Sequence, residues 1–224
     1  MTLRFRARAA LIDLDGTLLD TVADLAAATN AMLAELGRRQ LSLEAVAAYV
    51  GKGAEVLVHR ALTDSLDGRA EAALAQRALA AFMRHYALCN GRQARLYPGV
   101  REGLRLLRER GLRLACVTNK PQALAEPLLA ATDLADDFEL IVGGDFLARR
   151  KPDPAPMLHV CERFGLAPAD ALVIGDSVND AAAARAAGMP VLVVSYGYNE
   201  GRPASSIDAD GVIDSIAEVG HWLA

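Results

Sequence analysis

Residues 9–17 read Ala9-Ala10-Leu11-Ile12-Asp13-Leu14-Asp15-Gly16-Thr17, and the way this stretch breaks decides the fold. Four apolar residues, too few for a helix, meet a carboxylate, a second carboxylate and then a glycine that permits a tight turn. A short aliphatic run bounded by turn residues is the pattern of a strand buried on both faces, as in a parallel sheet. Four more such runs follow. Leu112–Val117 is opened by Gly111 and closed by Thr118-Asn119; Leu140–Val142 precedes Gly143-Gly144; Ala171–Ile174 precedes Gly175-Asp176; Val191–Val194 is the last. Helical patterns separate them at Val100–Arg110, Pro121–Ala131, Ala155–Phe164 and Val178–Ala187. Turn and capping signals sit beside them, such as Pro98-Gly99 before the first and Gly188 after the last. Strands spaced by single helices predict right-handed crossovers and an α/β fold with a doubly wound parallel sheet.

One region breaks the alternation. From about Thr21 to Arg95 only helical patterns appear: Val22–Leu36 stopped by Gly37, Leu43–Tyr49 capped by Ser42, Ala54–Leu62, and Arg69–Leu88. Four helices are too many for one crossover. The expected organisation is an α/β core of residues 1–18 and 96–224, with a small helical cap of residues 19–95 inserted after the first strand.

Composition agrees with this reading and narrows the function. The 224 residues are 53% hydrophobic but only 5% aromatic, so Ala, Leu and Val must fill the core. With 24 basic and 28 acidic residues the net charge is −4, and no run of Lys or Arg is present to track a nucleic-acid backbone. Cys89, Cys116 and Cys161 are an odd set without CxxC spacing and read as reduced thiols rather than as a metal site or disulfide framework. No apolar run reaches membrane-spanning length, roughly 18 residues, and the apolar stretch behind the Arg-rich start is too short for a signal peptide. The expectation is a cytoplasmic protein, monomer or homodimer, with neither a nucleic-acid nor a membrane partner. His59, His85, His159 and His221 fall singly in helical patterns and read as ordinary helix histidines, and Trp222 as a residue docking the last helix.

The chemistry lies at the strand ends, where open α/β sheets bind their ligands. Any one Asp there can simply cap a turn. Four polar groups at chosen strand ends make a site. Asp13 and Asp15, two residues apart, suit two jobs: attack on phosphorus, and proton transfer to the leaving oxygen and from water. The hydroxyl and amide of Thr118-Asn119 can donate to phosphoryl oxygens. Lys151 supplies a point positive charge. Asp176 and Asp180 stand four apart at the opening of a helix, and Asp13 with Asp176 is the expected charge pair for Mg²⁺, which takes few carboxylates alongside waters and substrate phosphate.

The order Asp13-Leu14-Asp15-Gly16-Thr17, Thr118-Asn119-Lys120, Lys151-Pro152-Asp153-Pro154 and Gly175-Asp176-Ser177-Val178-Asn179-Asp180 resembles the four motifs of the haloacid dehalogenase superfamily. That resemblance implies Asp13 as nucleophile and Asp15 as general acid/base. It implies that Thr118 and Asn119 hold the phosphoryl group and that Lys151 stabilises it. Mg²⁺ would be bound by Asp13, the backbone carbonyl of Asp15 and Asp176, with Asp180 in or near the metal shell. A closer resemblance, to the bacterial phosphoglycolate phosphatase family, rests on residues 50–58 and 60–62, Tyr97-Pro98-Gly99-Val100, Lys151–Pro154, and residues 186–190 with 195–199. It implies a small phosphorylated metabolite as substrate, 2-phosphoglycolate giving glycolate and phosphate. Lys52 stands between Gly51 and Gly53 where that family's pattern has Asn. As a cation on a bendable loop it is a candidate for the substrate's carboxylate.

Rival readings differ at single residues. A dehalogenase needs neither Asp15 nor Asp176. A phosphonate hydrolase lacks the Asp15 carboxylate and uses a cap lysine, which Lys52 keeps open. A phosphohexomutase, or a phosphatase of sugar phosphates or pyrophosphate, shares the core motifs. A binding module without catalysis has no need of the complete acid, base, lysine and metal set.

Overall fold

The computed structural model describes residues 4–224. The chain opens with β1 (Ala9–Ile12), then the two-residue strand β2 (Leu19–Asp20) and four helices: α1 (Val22–Glu35), α2 (Leu43–Tyr49), α3 (Ala54–Thr63) and α4 (Ala72–Cys89). After β3 (Arg95–Leu96) it alternates through α5 (Val100–Glu109), β4 (Arg113–Val117), α6 (Gln122–Ala131), β5 (Leu140–Val142), α7 (Ala155–Phe164), β6 (Ala171–Gly175), α8 (Val178–Ala187), β7 (Val191–Val194) and β8 (Gly211–Ile213).

Six strands form one parallel sheet in the order β5-β4-β1-β6-β7-β8. This is the expected α/β architecture. Because side chains alternate along a strand, each strand feeds two cores. Ala10, Ile12, Leu114, Cys116, Leu172 and Ile174 face one helical layer. Ala9, Leu11, Ala115, Val117, Ala171 and Val173 face the other. All twelve are buried, which is why these strands read as uninterrupted aliphatic runs.

Two strand signals were too weak to read in the sequence. β8 has only Val212 and Ile213 as apolar residues, and Val212 stays exposed at the sheet edge. β2 and β3 pair antiparallel, Leu19 with Leu96 and Asp20 with Arg95, at the base of the four helices. Trp222 ends a 3₁₀ segment (Ile216–Trp222), not an α-helix, and its ring stacks on Phe5 at 6.2 Å.

Helices α1–α4 enclose a cluster of their own, with Met32, Leu33, Val46, Val58, Phe82 and Tyr86 at its centre. As expected, Ser42 caps α2, its hydroxyl accepting from the Ala45 amide. Asp24, fully buried in α1, accepts from the backbone amides of Gly91, Gln93 and Ala94, and so fixes where the chain leaves α4. Among the described residues no helix is long and apolar enough to cross a membrane, and all three cysteines are free thiols.

Candidate active site

Three central strands converge. β1 lies between β4 and β6, with Ile12 level with both Cys116 and Ile174. Asp13 therefore leaves the sheet beside Thr118 and Asp176, at the point where the strand order reverses and open sheets form their binding crevice. The Asp13 amide donates to the Ile174 carbonyl at 3.0 Å and the Thr118 amide to Val142 at 3.0 Å, so both residues are held by the sheet itself.

Lys151, from the loop after β5, reaches into this crevice. Its buried ammonium donates to the Val117 carbonyl (2.6 Å) and to Asp180 Oδ1 (2.7 Å), and lies 2.8 Å from Asp13 Oδ1. The contact with Asp13 is a close ion pair. Asp180 has two jobs. Its Oδ2 accepts from the Ser177 amide and hydroxyl, completing the capping box that starts α8, while Oδ1 faces Lys151. Asp176 is held by the amide of Tyr198 and, at 3.4 Å, by the Thr17 hydroxyl. A Cβ on Gly16 or Gly197 would run into its carboxylate, so both glycines let backbone close around it.

Asp13, Asp176 and Asp180 each offer an oxygen within 4.8 Å of the others. With one lysine against three carboxylates the cluster carries a formal charge of −2 in a buried place. Burial pushes the Asp13 carboxyl up to about 7, against the pull of Lys151 and with the repulsion of Asp180. Burial, then Asp180 and Asp13, raise Asp176 well above the ordinary carboxylate range. Burial works against the Lys151 ammonium as well, but Asp13 and Asp180 outweigh it and hold its pKa above that of an ordinary lysine. Converging hard oxygens with excess negative charge fit what a divalent cation takes as ligands. The Asp15 carboxylate is not in this cluster. It turns away to accept from the Thr21 hydroxyl (2.7 Å) and from the Lys120 ammonium (3.2 Å).

Above these groups lies a cavity of about 40 Å³. Its floor is Asp13, Asp15, Thr118, Asn119 and Lys120, and its roof comes from the helices, with Leu25, Val50, Leu57, Phe82 and Tyr86. A single water needs roughly 10–15 Å³ on this measure, so the space suits a ligand of a few heavy atoms. The Thr118 hydroxyl oxygen accepts from the Lys120 amide, leaving its proton free to donate into the cavity.

Two of the expected site side chains have other partners in this structure. The side-chain amide of Asn119 does not face the cavity as a donor. It donates to the carbonyls of Gly51 (3.0 Å) and Lys151 (2.9 Å), tying the helical unit to the two loops of the sheet. Asn179 donates to the same Gly51 carbonyl at 3.3 Å.

Lys52 is not among the residues lining the cavity. Gly51 and Gly53, at φ +115° and +87°, turn the chain so that its ammonium meets Glu200 at 2.8 Å. Glu200 also receives the buried Arg60 at 2.6 Å. Burial would raise the Glu200 carboxyl, but Lys52 and Arg60 outweigh it and hold the group below the usual range. The two cations differ in exposure, 37% for the Lys52 side chain and 2% for Arg60. Glu200→Gln is therefore expected to destabilise by about 1–2 kcal/mol, a fall in Tm of roughly 2–8 °C by calorimetry. Lys52→Ala should cost under about 1 kcal/mol, as exposed pairs do.

Thr21 and Tyr86 are site residues outside the sequence motifs, and Lys120 stands in the Thr118-Asn119-Lys120 motif without an assigned role. Only Lys120 carried a signal, as a lysine directly after Thr118-Asn119 at a strand end.

A haloacid dehalogenase-like hydrolase family model matches residues 7–188. The chain is similar to a phosphoglycolate phosphatase of Nitrosospira multiformis, 54% identical over 211 residues that cover 94% of this chain and 93% of that protein. A phosphoglycolate phosphatase of Thiobacillus denitrificans is 51% identical over the same shares. The crystal structure of a predicted phosphoglycolate phosphatase from Haemophilus somnus 129PT superposes with a TM-score of 0.90 at 34% identity, covering 96% of this chain and 97% of that one.

Proposed function

Because the chain belongs to the haloacid dehalogenase-like hydrolase family, we propose that this phosphoric monoester hydrolase converts 2-phosphoglycolate to glycolate and phosphate, with Asp13 as nucleophile and Mg²⁺ as cofactor. The observation that carries the chemistry is the buried cluster of Asp13, Asp176 and Asp180 around the single ammonium of Lys151. The choice of substrate is supported by relatives that bear this activity in their names over nearly the whole chain.

An Asp13 oxygen attacks phosphorus in line, and the P–O bond to the glycolate oxygen breaks. Asp15 gives its proton to that departing oxygen, leaving an aspartyl phosphate on Asp13. Water then attacks phosphorus, Asp15 takes the water's proton, and the Asp13–phosphorus bond breaks to release phosphate. The Lys151 ammonium and the Thr118 hydroxyl neutralise and orient the phosphoryl oxygens, so that catalysis is chiefly positioning and charge stabilisation. Asp13 and Asp176 would hold Mg²⁺, with the Asp15 carbonyl as a third donor and Asp180 behind them. Its chemistry is to neutralise charge shared between nucleophile and phosphoryl group. Residues 19–95 act as a cap that keeps bulk water from the intermediate, joined to the core through the β2–β3 pair.

Turnover of a panel of small phosphate esters tests this reading. The expected result is a kcat/KM for 2-phosphoglycolate about tenfold or more above sugar phosphates and pyrophosphate, lost on chelation and restored by Mg²⁺. A sugar phosphate at the head of the panel would overturn the substrate. The metal has a separate readout. At about a hundredfold excess over its Kd, Mg²⁺ binding to the folded state alone contributes about 2.7 kcal/mol, a rise in Tm of roughly 5–11 °C. Asp176→Asn should require about tenfold or more Mg²⁺ for half that rise, since it loses one charge-assisted ligand.

A further inference from the structure

Lys120 is a cation buried in an apolar place. Its side chain is 1% exposed, and its ammonium lies 4.3 Å from the centroid of the Tyr86 ring, at the hydroxyl end, and donates to the Tyr86 hydroxyl. On the other side it faces both oxygens of Asp15, at 3.2 and 3.4 Å. Tyr86 comes from α4 and Lys120 from the start of the α6 crossover, so the contact spans helical unit and sheet. Among the described residues lining the cavity, Lys120 is the one with a cationic side chain. Lys151 lies below, engaged with Asp13 and Asp180, and Lys52 is held by Glu200. The roof is aliphatic and aromatic apart from backbone and the Tyr86 hydroxyl.

A ligand whose phosphoryl end lies at Asp13 and Thr118 must place the rest of its atoms under that roof. If those atoms include a second negative group, its desolvation is offset only by a cation already at hand. We propose that Lys120, backed by Tyr86, is the specificity-determining residue that receives the carboxylate of the substrate. This rests on the reading of the enzyme as a phosphatase of a short phosphorylated acid, and it assigns to Lys120 the contact that the sequence suggested for Lys52. The pairing with Asp15 holds the ammonium in place between turnovers, and the incoming carboxylate supplies a second partner. The Tyr86 hydroxyl, accepting from Lys120, has its own proton left to donate to the same carboxylate.

The test compares 2-phosphoglycolate and phospholactate with 2-hydroxyethyl phosphate, which lacks the carboxylate, for wild type, Lys120→Met and Tyr86→Phe. A charge-assisted hydrogen bond contributes about 1.5–3 kcal/mol. The ratio of kcat/KM between carboxylated and uncharged esters should therefore fall about 10- to 150-fold in Lys120→Met, mainly through KM. Tyr86→Phe, which keeps the ring and the packing, should lower the same ratio by about three- to tenfold. A ratio unchanged in both variants, with both substrates slowed alike, overturns the proposal while 2-phosphoglycolate stands as substrate. Wild type preferring phospholactate to 2-phosphoglycolate, with both losing their advantage over 2-hydroxyethyl phosphate in Lys120→Met, overturns 2-phosphoglycolate and upholds the role of Lys120. Wild type indifferent to the carboxylate overturns both.

Discussion

Asp13→Asn is expected to lower kcat for 2-phosphoglycolate by roughly 10⁴-fold or more, the scale seen when a covalent nucleophile is removed, without lowering Tm. The amide is nearly the size and shape of the carboxylate but cannot form a stable acyl phosphate, so only binding and electrostatic stabilisation remain. Stability should move the other way. The wild-type cluster crowds three carboxylates around one ammonium, and burial already pushes Asp13 up to about 7. Removing one negative charge relieves that repulsion, as expected where a site is built for chemistry at the expense of stability. In metal-free buffer the variant should melt at or above the wild-type temperature. Acid-quenched wild type should carry one phosphoryl group on the peptide containing Asp13, seen by mass spectrometry, and the variant none. A phosphorylated Asp13→Asn protein would place the nucleophile elsewhere. Asp15→Asn should cost about 10²–10⁴-fold, and less with p-nitrophenyl phosphate, whose leaving group needs no proton.

What the sequence disclosed follows the range of the interactions. β1, β4 and β6 were legible because strands buried on both faces must be aliphatic throughout, and each ends on a polar residue that the buried sheet would not tolerate. α8 was legible through local signals, Gly188 in the left-handed conformation that ends the helix among them. β8 was not, because an edge strand of three residues needs little apolar pattern. The paired strands β2 and β3 contain two residues each and are joined across 74 intervening positions, so no local periodicity marks them.

The same limit governs the site. Asp13, Asp15, Thr118, Lys151, Asp176 and Asp180 come together because the sheet order puts their strands side by side. Lys52 went astray because its partner, Glu200, lies far downstream, in a loop that nothing near Lys52 announces. The partners of the Asn119 amide were illegible for a similar reason: the backbone carbonyls of Gly51 and Lys151 are invisible in a side-chain pattern. Tyr86 reads as a core aromatic on a helix, and at 2% exposure it is one. Only its hydroxyl, beneath Lys120, gives it a second role.

Lys151→Met should have the opposite effect on stability to Asp13→Asn. Lys151 is the single positive charge among Asp13, Asp176 and Asp180, and its side chain is 2% exposed. Methionine fills the volume of the stem but leaves three buried carboxylates facing one another. Removing one partner of a buried ion pair typically costs about 3–5 kcal/mol, which for a chain of this size is a fall in Tm of roughly 6–20 °C. Activity should fall about 10²–10³-fold or more, the loss expected when one group stabilising the transition-state charge is removed. Each loss alone could come from a damaged fold. Adding Asp180→Asn separates the two causes. The double variant restores the formal charge of the cluster to −2, and the asparagine oxygen can still accept from Ser177 and so keep the cap of α8. Its Tm should recover at least half of the loss. Its activity should not recover, because the phosphoryl group still lacks its cation. A double variant as unstable as Lys151→Met would show that the lysine stabilises through its hydrogen bond to the Val117 carbonyl rather than through charge. A double variant with restored turnover would remove Lys151 from the chemistry and leave it a purely structural counter-ion for Asp180.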